Sequence, residues 1–517
     1  MAAANPTVND GERHYRLSTI LVVAGIAWGA ISYSYSASII GTTLGQPSFA
    51  AYMGLDENNS EAIIGTVIGM FYAGGIFGCL LNSWLADRIG RKRTTITAYI
   101  IMLVSSACQC GSVHVAMFVV FRFFVGFSSY MVYLTTPLWV VELVPPKGRS
   151  ITAGIIGLFG VVGYILAAYV GVGFHYLSGP SAAQWRSPLA LGCAPPLIGL
   201  LTMPWLPESP RWLLAKGRVD EAYRIVSRFH HGPHCEHDEA ADAEFAQMRE
   251  QSEREQSMDS SWWCMATHAP YRRRAVLVIL LPIIAYSTGN LVITTYAASI
   301  FGGLGYDATQ SLHFLAGVYL AAITGNLISL TYVDRVARNV IMAVGVLACC
   351  IVLAIETALV ASAEGRHGHL AGAAAFLFLF LFVFNLFLEG PTWYYAGEIF
   401  PTHMRSKGLT LNVCSFSAIN LFWLELAPTA FRNIHWKFYL VFICLSVCNA
   451  FVVYLFFPDT LGRPLEEIAQ LFGDEVEENN LREEAKAAEE MEKETVNYDD
   501  QAGSSGFLPP RQSVRTV

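Results

Sequence analysis

Leu85-Ala86-Asp87-Arg88-Ile89-Gly90-Arg91-Lys92 decides how this chain is read, because it returns further along as Tyr332-Val333-Asp334-Arg335-Val336-Ala337-Arg338-Asn339. Two more charged signatures repeat in the same order. Glu142, Pro145 and Arg149 return as Glu398, Pro401 and Arg405, with Arg following Glu at the same interval in both copies. Pro207-Glu208-Ser209-Pro210-Arg211 returns as Pro458-Asp459-Thr460-Leu461-Gly462-Arg463. Three signatures in one order and at nearly one period describe a single structural unit written twice.

The sequence around them is apolar. Of the 517 residues 54% are hydrophobic and 14% charged, where soluble domains carry about 25% charged residues. A run of about 20 apolar residues crosses the hydrocarbon core as a helix, because only a helix or a closed barrel satisfies its own backbone there. Twelve such runs read at 17–41, 62–84, 95–113, 115–140, 152–175, 186–206, 275–301, 311–333, 340–362, 370–396, 408–431 and 438–457. Six precede a hydrophilic middle and six follow it. The expected fold class is therefore all-α integral membrane, with twelve transmembrane helices in two pseudo-symmetric six-helix bundles. The expected organisation is a tail at 1–16, a bundle at 17–206, a linker at 207–274, a bundle at 275–457 and a tail at 458–517. Within the linker, Arg218 to Arg228 and Ala241 to Glu253 alternate in helical fashion.

A soluble helical protein is excluded, since buried core helices rarely run past 18 residues without a charge and several consecutive segments here do. The first run is too long for a signal-peptide core and has no convincing small-residue cleavage site, so it is expected to remain as the first span. Basic residues are retained on the cytosolic side of a membrane. Arg88, Arg91, Lys92, Arg93, Lys147, Arg149, Arg335, Arg338, Arg405 and Lys407 all fall in loops of one side, which makes that side and both termini cytosolic. The expected location is the cell membrane, as a multi-pass protein.

Eleven cysteines, mostly inside spans, imply no disulfide framework. The net charge of −8 comes largely from the acidic tail after Gly473, to which no activity is attached. His230, His231, His234, Cys235 and His237 crowd the linker, but their spacing fits no standard zinc site and Pro233 interrupts it. No metal and no cofactor is expected. Asn58-Asn59-Ser60 is a glycosylation sequon on the external side. An enzyme is disfavoured, because no nucleotide-binding glycine loop, metal-spaced set or paired nucleophile and base is present.

Ala86-Asp87-Arg88-Ile89-Gly90-Arg91-Lys92, Pro207-Glu208-Ser209-Pro210-Arg211 and Glu398-Ile399-Phe400-Pro401 together resemble the sugar porter family of the major facilitator superfamily, from about residue 20 to 472. Within it, Ile40-Gly41-Thr42-Thr43, Ser287-Thr288-Gly289-Asn290 and Phe400-Pro401-Thr402-His403-Met404-Arg405-Ser406-Lys407-Gly408 are most similar to the fungal branch with lactose-permease-like carriers. The resemblance implies a monomeric secondary transporter that moves a sugar or sugar-like small polar solute by alternating access, as a uniporter or coupled to protons. Its partners would be that solute, the lipid bilayer and protons, with no nucleic acid. It also implies a lock of gating charges on the cytosolic side: Asp87, Arg91, Glu142, Arg149 and Glu208 in the first half, Asp334, Arg338, Glu398 and Arg405 in the second.

By the same resemblance Trp393, Asn290, Tyr296 and Asn420 fall on solute-contacting positions. Tyr286 stands where the family has a glutamine in span 7, Gly157 where it has an amide in span 5, and Phe416 where it has the first span 11 asparagine. Losing amides and gaining rings points to a solute larger or less hydroxylated than a hexose. Proton symporters of the family pair an Asp of span 1 with an Arg of span 4; here Ser36 replaces the Asp while Arg122 remains. An ionisable group inside a membrane is functional by default, so Arg122 is expected to orient helices or meet an anionic solute. Glu356, Glu389 and Glu425 lie in C-terminal spans, and Glu389, beside Gly390-Pro391, is the one expected to couple to protons. Two alternatives stand beside this reading: a carrier for an organic acid or secondary metabolite, and a non-transporting nutrient sensor, which would ordinarily carry a longer tail.

Overall fold

The structure, a computed structural model, describes residues 17–55, 60–144, 149–176, 182–230, 239–332, 335–362, 367–461, 463 and 465–473. Every expected span is helical. The crossing segments are α1 (Leu17–Leu44), α2 (Ser60–Ile89), α3 (Arg91–Cys110), α4 (Val115–Leu143), α5 (Arg149–His175), α6 (Ala183–Leu191 and Ala194–Thr202), α7 (Ala269–Tyr286, Asn290–Thr295 and Ala297–Gly303), α8 (Ala308–Tyr332), α9 (Arg338–Ala361), α10 (His367–Phe384 and Gly390–Glu398), α11 (Thr402–Ile434) and α12 (Phe438–Phe456). By length and hydropathy alone nine described stretches qualify as spans, one of which runs α11 and α12 together. The remaining two are α3, which opens on Arg91-Lys92-Arg93, and α7, which is broken into three pieces.

The helices keep their apolar residues on the outside as well as inside: Phe77, Leu201, Phe451 and Leu455 are exposed. That is the surface expected of helices whose solvent is lipid rather than water. Inside, small residues let backbones touch. A Cβ at Gly74 would collide with the Phe123 carbonyl, and one at Gly126 with the Phe71 carbonyl, so α2 and α4 pack backbone to backbone.

Between α6 and α7 the linker forms short helices at Pro210–Ala215, Val219–His230, Glu239–Ser257 and Trp262–Thr267, covering the two stretches expected to be helical. Ser209 caps the first of these, accepting the Trp212 amide, and Ser261 caps the last, accepting the Cys264 amide. Ser261 also donates its own backbone N–H to Asp259 Oδ1, and these hydrogen bonds hold the Asp259 carboxyl below its usual range. A second compact unit starts at Thr460, and its described helix is Leu465–Phe472.

Candidate functional site

Two helix breaks shape the centre of the bundle. In α7 the chain turns at Gly289 with φ 92°, a left-handed backbone that glycine adopts without strain, and a Cβ there would sit 2.9 Å from the Phe442 ring. In α10, Asn385–Glu389 winds as a π-helix before Gly390-Pro391 resumes the α-helix. A wider turn and a proline leave carbonyls unpaired, which is costly where no water reaches. Side chains take them up: Tyr332 donates to the Leu386 carbonyl, and Thr392 Oγ1 donates to the Glu389 carbonyl at 3.1 Å.

The α10 break presents Glu389 and Trp393 to a group of rings. The Tyr286 hydroxyl of α7 donates to Glu389 Oε2 at 3.1 Å, and the Trp393 indole faces the same carboxylate. Tyr133 of α4 and Tyr164 of α5 also lie within electrostatic reach of Glu389. Ring contacts extend the group: Tyr286 to Phe416 at 4.6 Å, Trp393 to Tyr133 at 5.3 Å, Tyr133 stacked on Tyr33 at 4.1 Å, and Tyr164 stacked on Tyr319 of α8 at 5.4 Å. Glu389, Trp393, Tyr133 and Tyr164 are each only half-buried. A small cleft shares Tyr164 and is lined by the hydroxyls of Ser38, Tyr72, Thr294, Thr295 and Tyr319.

The structure thus brings Tyr286 and Trp393 together with Glu389. Asn290 begins the helix after the α7 break, and its Oδ1, like both amide atoms of Asn420 on α11, is buried without a hydrogen-bond partner among the described residues. Tyr296 is otherwise engaged. Its hydroxyl donates to the Leu424 carbonyl at 3.0 Å and ties α7 to α11. Arg122 lies apart from Glu389, buried on α4, with Nη1 donating to the Ser36 carbonyl at 2.8 Å and its guanidinium 4.4 Å over the Phe71 ring. The position that lost its carboxylate still meets the arginine, through the backbone.

Tyr133, Tyr164 and Tyr33 were not singled out by sequence reasoning. Their only signal was a tyrosine spacing in otherwise apolar spans, such as Tyr130 and Tyr133 one helical turn apart. Asn326 on α8 was missed too; its Nδ2 faces Gly157, the α5 position at which an amide was expected and not found.

The charged signatures gather where α2 meets α3 and α8 meets α9. Arg91 makes a bidentate pair with Glu142, Nε to Oε2 at 3.0 Å and Nη2 to Oε1 at 2.9 Å, and reaches Asp87 Oδ1 at 3.2 Å. Glu208 Oε1 accepts the backbone N–H groups of Arg91, Lys92 and Ser209 at 2.9, 3.1 and 3.0 Å. A carboxylate on the first amides of α3 satisfies donors that the helix cannot and sits at the positive end of its dipole. In the second copy Arg338 Nη2 donates to Glu398 Oε1 at 3.1 Å, and Asp459 Oδ1 accepts the Arg338 backbone N–H at 2.9 Å. Arg405 lies in the first turn of α11. Asp334 and Asn58 lie outside the described residues, as do all but the backbone of Arg149 and most of the histidine cluster. At the same end Lys407 of α11 donates to the Ser260 carbonyl of the linker and lies 5.8 Å from the Trp262 ring.

Residues 22–472 match the family described as Sugar (and other) transporter. The chain belongs to that family. Among curated relatives of this transporter, the MFS-type transporter criB of Aspergillus cristatus is 31% identical over 474 residues, covering 89% of this chain and 96% of the relative. The High-affinity glucose transporter of Kluyveromyces lactis is 24% identical over 485 residues, covering 89% and 85%. The proton:xylose symporter XylE, an E. coli protein, superposes with a TM-score of 0.75 at 21% identity, covering 89% of this chain and all of the other. The fold is that of the twelve-helix major facilitators, and the protein is a membrane transporter rather than an enzyme.

Proposed function

We propose that this transporter moves a small, polar, ring-bearing solute, a sugar or sugar-like compound, across the cell membrane by alternating access. The observation that carries the reading is Asn290 Oδ1 and the Asn420 amide, buried without a hydrogen-bond partner among the described residues in a bundle whose centre also holds the half-covered Trp393. Buried polar groups without partners are rare and costly, and a solute hydroxyl would satisfy them while its C–H face packs on a ring. The relatives named for glucose and xylose support the same class.

Segments 17–206 and 275–457 act in this reading as the two rocking halves, with the linker latched to α11 through Lys407. The Arg91–Glu142 and Arg338–Glu398 clusters brace helix ends on the side where basic loop residues collect; in this reading that side and both termini are cytosolic, as retention of basic residues supports. Glu389 serves as the proton-coupling group, supported by its place at the π-helical break and its hydrogen bond from Tyr286. A second reading, transport of an aromatic or other organic metabolite, is favoured by Tyr286 and Phe416 packing together at positions where amides would read sugar hydroxyls.

Flux into proteoliposomes across a panel of sugars, polyols, organic acids and aromatic metabolites, with and without a pH gradient, tests both. Saturable uptake of a sugar or polyol, weakened by Asn420→Ala, is expected. Uptake of aromatic metabolites alone would transfer the assignment to the second reading.

A further inference from the structure

The least explained group in the centre is a carboxylate. Glu389 is contributed by α10; the Tyr286 hydroxyl of α7 hydrogen-bonds it at 3.1 Å, Trp393 lies one turn further along α10 with Tyr133 of α4 packed edge-on against it at 5.3 Å, and Tyr164 of α5 lies within electrostatic reach. Tyr286 occupies one oxygen with a hydrogen bond at 3.1 Å, and the residue keeps part of its surface uncovered. The buried arginine of the first half is engaged elsewhere, Arg122 Nη1 donating to the Ser36 carbonyl with the guanidinium over the Phe71 ring.

Glu389 sits among aromatic rings, meeting Tyr286 through its hydroxyl and Trp393 through its indole. A carboxylate carries negative charge outright, and the faces of tyrosine and tryptophan carry negative potential through their quadrupoles, which is why aromatic cages bind ammonium groups. In a low-dielectric centre a carboxylate among rings favours a solute that carries a positive charge over its neutral counterpart. The rings come from both halves, with Tyr133 and Tyr164 on one side and Tyr286 and Trp393 on the other. A bound cation would therefore hold the halves together about itself.

We propose that the central site binds a protonated amine carried on a ring, with the ammonium at Glu389 and the ring against Trp393 and Tyr133. This rests on the proposed central site and names its solute class. Asn290 Oδ1 and the Asn420 amide, without partners among the described residues, remain to meet the solute, Asn290 Oδ1 accepting from a hydroxyl and Asn420 Nδ2 donating to a hydroxyl or carbonyl oxygen. Since an ammonium and a proton both seek the Glu389 carboxylate, entry of the amine displaces the proton, and the two exchange rather than travel together. The other titratable groups about Glu389 among the described residues are the phenols of Tyr133, Tyr164 and Tyr286.

The test uses the full-length protein and matched probes that differ chiefly in charge: glucosamine against glucose, and tyramine against 4-hydroxyphenylethanol. In proteoliposomes at neutral pH, the amine of at least one pair is expected to enter about tenfold faster than its neutral twin, and to raise the melting temperature of the purified protein where the twin does not. Glu389→Gln should abolish that preference and Glu389→Asp should retain it. Loading the vesicles with acid should speed amine entry, as exchange requires. Neutral twins entering as fast as the amines, or a Glu389→Gln protein that keeps the preference, overturns this proposal and leaves the carrier reading standing. Failure of every probe in this set and in the wider solute panel overturns both.

Discussion

The two copies of the charged signature build the same brace on different backbones. In the first, the chain passes from α2 to α3 through Gly90 at φ 97°, which brings Glu208 so close that a Cβ on residue 90 would collide with its Oε2. In the second, the equivalent residue is Ala337 at φ −50° and ψ 130°, an ordinary extended conformation. Both copies nonetheless place an arginine against a glutamate and a carboxylate on that arginine's amide. The pairing, then, is what the duplication preserves, and the glycine is one local solution to it. The copies also differ in exposure: Glu142 keeps 13% of its side-chain surface and Glu398 keeps 33%.

The sharpest break is expected from Glu142→Gln. It leaves the Arg91 charge without its bidentate partner in a site where both side chains are nearly covered, and breaking such a pair costs about 3 kcal/mol or more. Glu398→Gln, at the more exposed glutamate and a single-bonded pair, should cost about 1.5 kcal/mol. Denaturant unfolding in detergent measures both, and equal losses would remove the asymmetry between the copies.

Gly90→Ala comes next, at about 1–3 kcal/mol, from a left-handed backbone forced on a residue with a Cβ. The clash with Glu208 makes this cost depend on its neighbour. Adding Glu208→Ala should recover part of the loss, and a double-mutant cycle that came out additive would show that the close approach has no consequence. Glu208→Gln on its own removes only the charge from a cap that accepts three amides, and a loss of about 1 kcal/mol is expected from thermal unfolding. The smallest effect belongs to Ala337→Gly. It changes no described contact, so only the added freedom of the unfolded chain counts, about 0.5–1 kcal/mol. A larger drop would mean that the second copy is as finely fitted as the first.

Much of the architecture was legible beforehand for one reason: lipid imposes a length and a composition on whatever crosses it. The twelve apolar runs and the two helical stretches of the linker are helical where the sequence put them. Arg91, Glu142, Arg338 and Glu398 were named as gating charges from spacing and family resemblance, and the structure pairs them. Less was legible about how they act. Glu208 takes backbone amides rather than a guanidinium, and Arg122 takes a carbonyl rather than a carboxylate, because backbone acceptors and donors leave no trace in the choice of side chains.

The central site was legible only in part. Glu389, Trp393 and Tyr286 were found one residue at a time, from an acid in an apolar span and from departures at amide positions. That Tyr133 and Tyr164 stand opposite them, and that Tyr296 turns away to Leu424, came only with the structure. In water, a helix announces its buried face by being polar on the other. In lipid both faces are apolar, so periodicity identifies which residues share a side of α4 or α5 but not which side meets α10. The sequence by itself determined the number of crossings, the duplication and the basic end; which rings gather about Glu389 was decided by the packing of helices whose sequences alone do not distinguish neighbour from lipid.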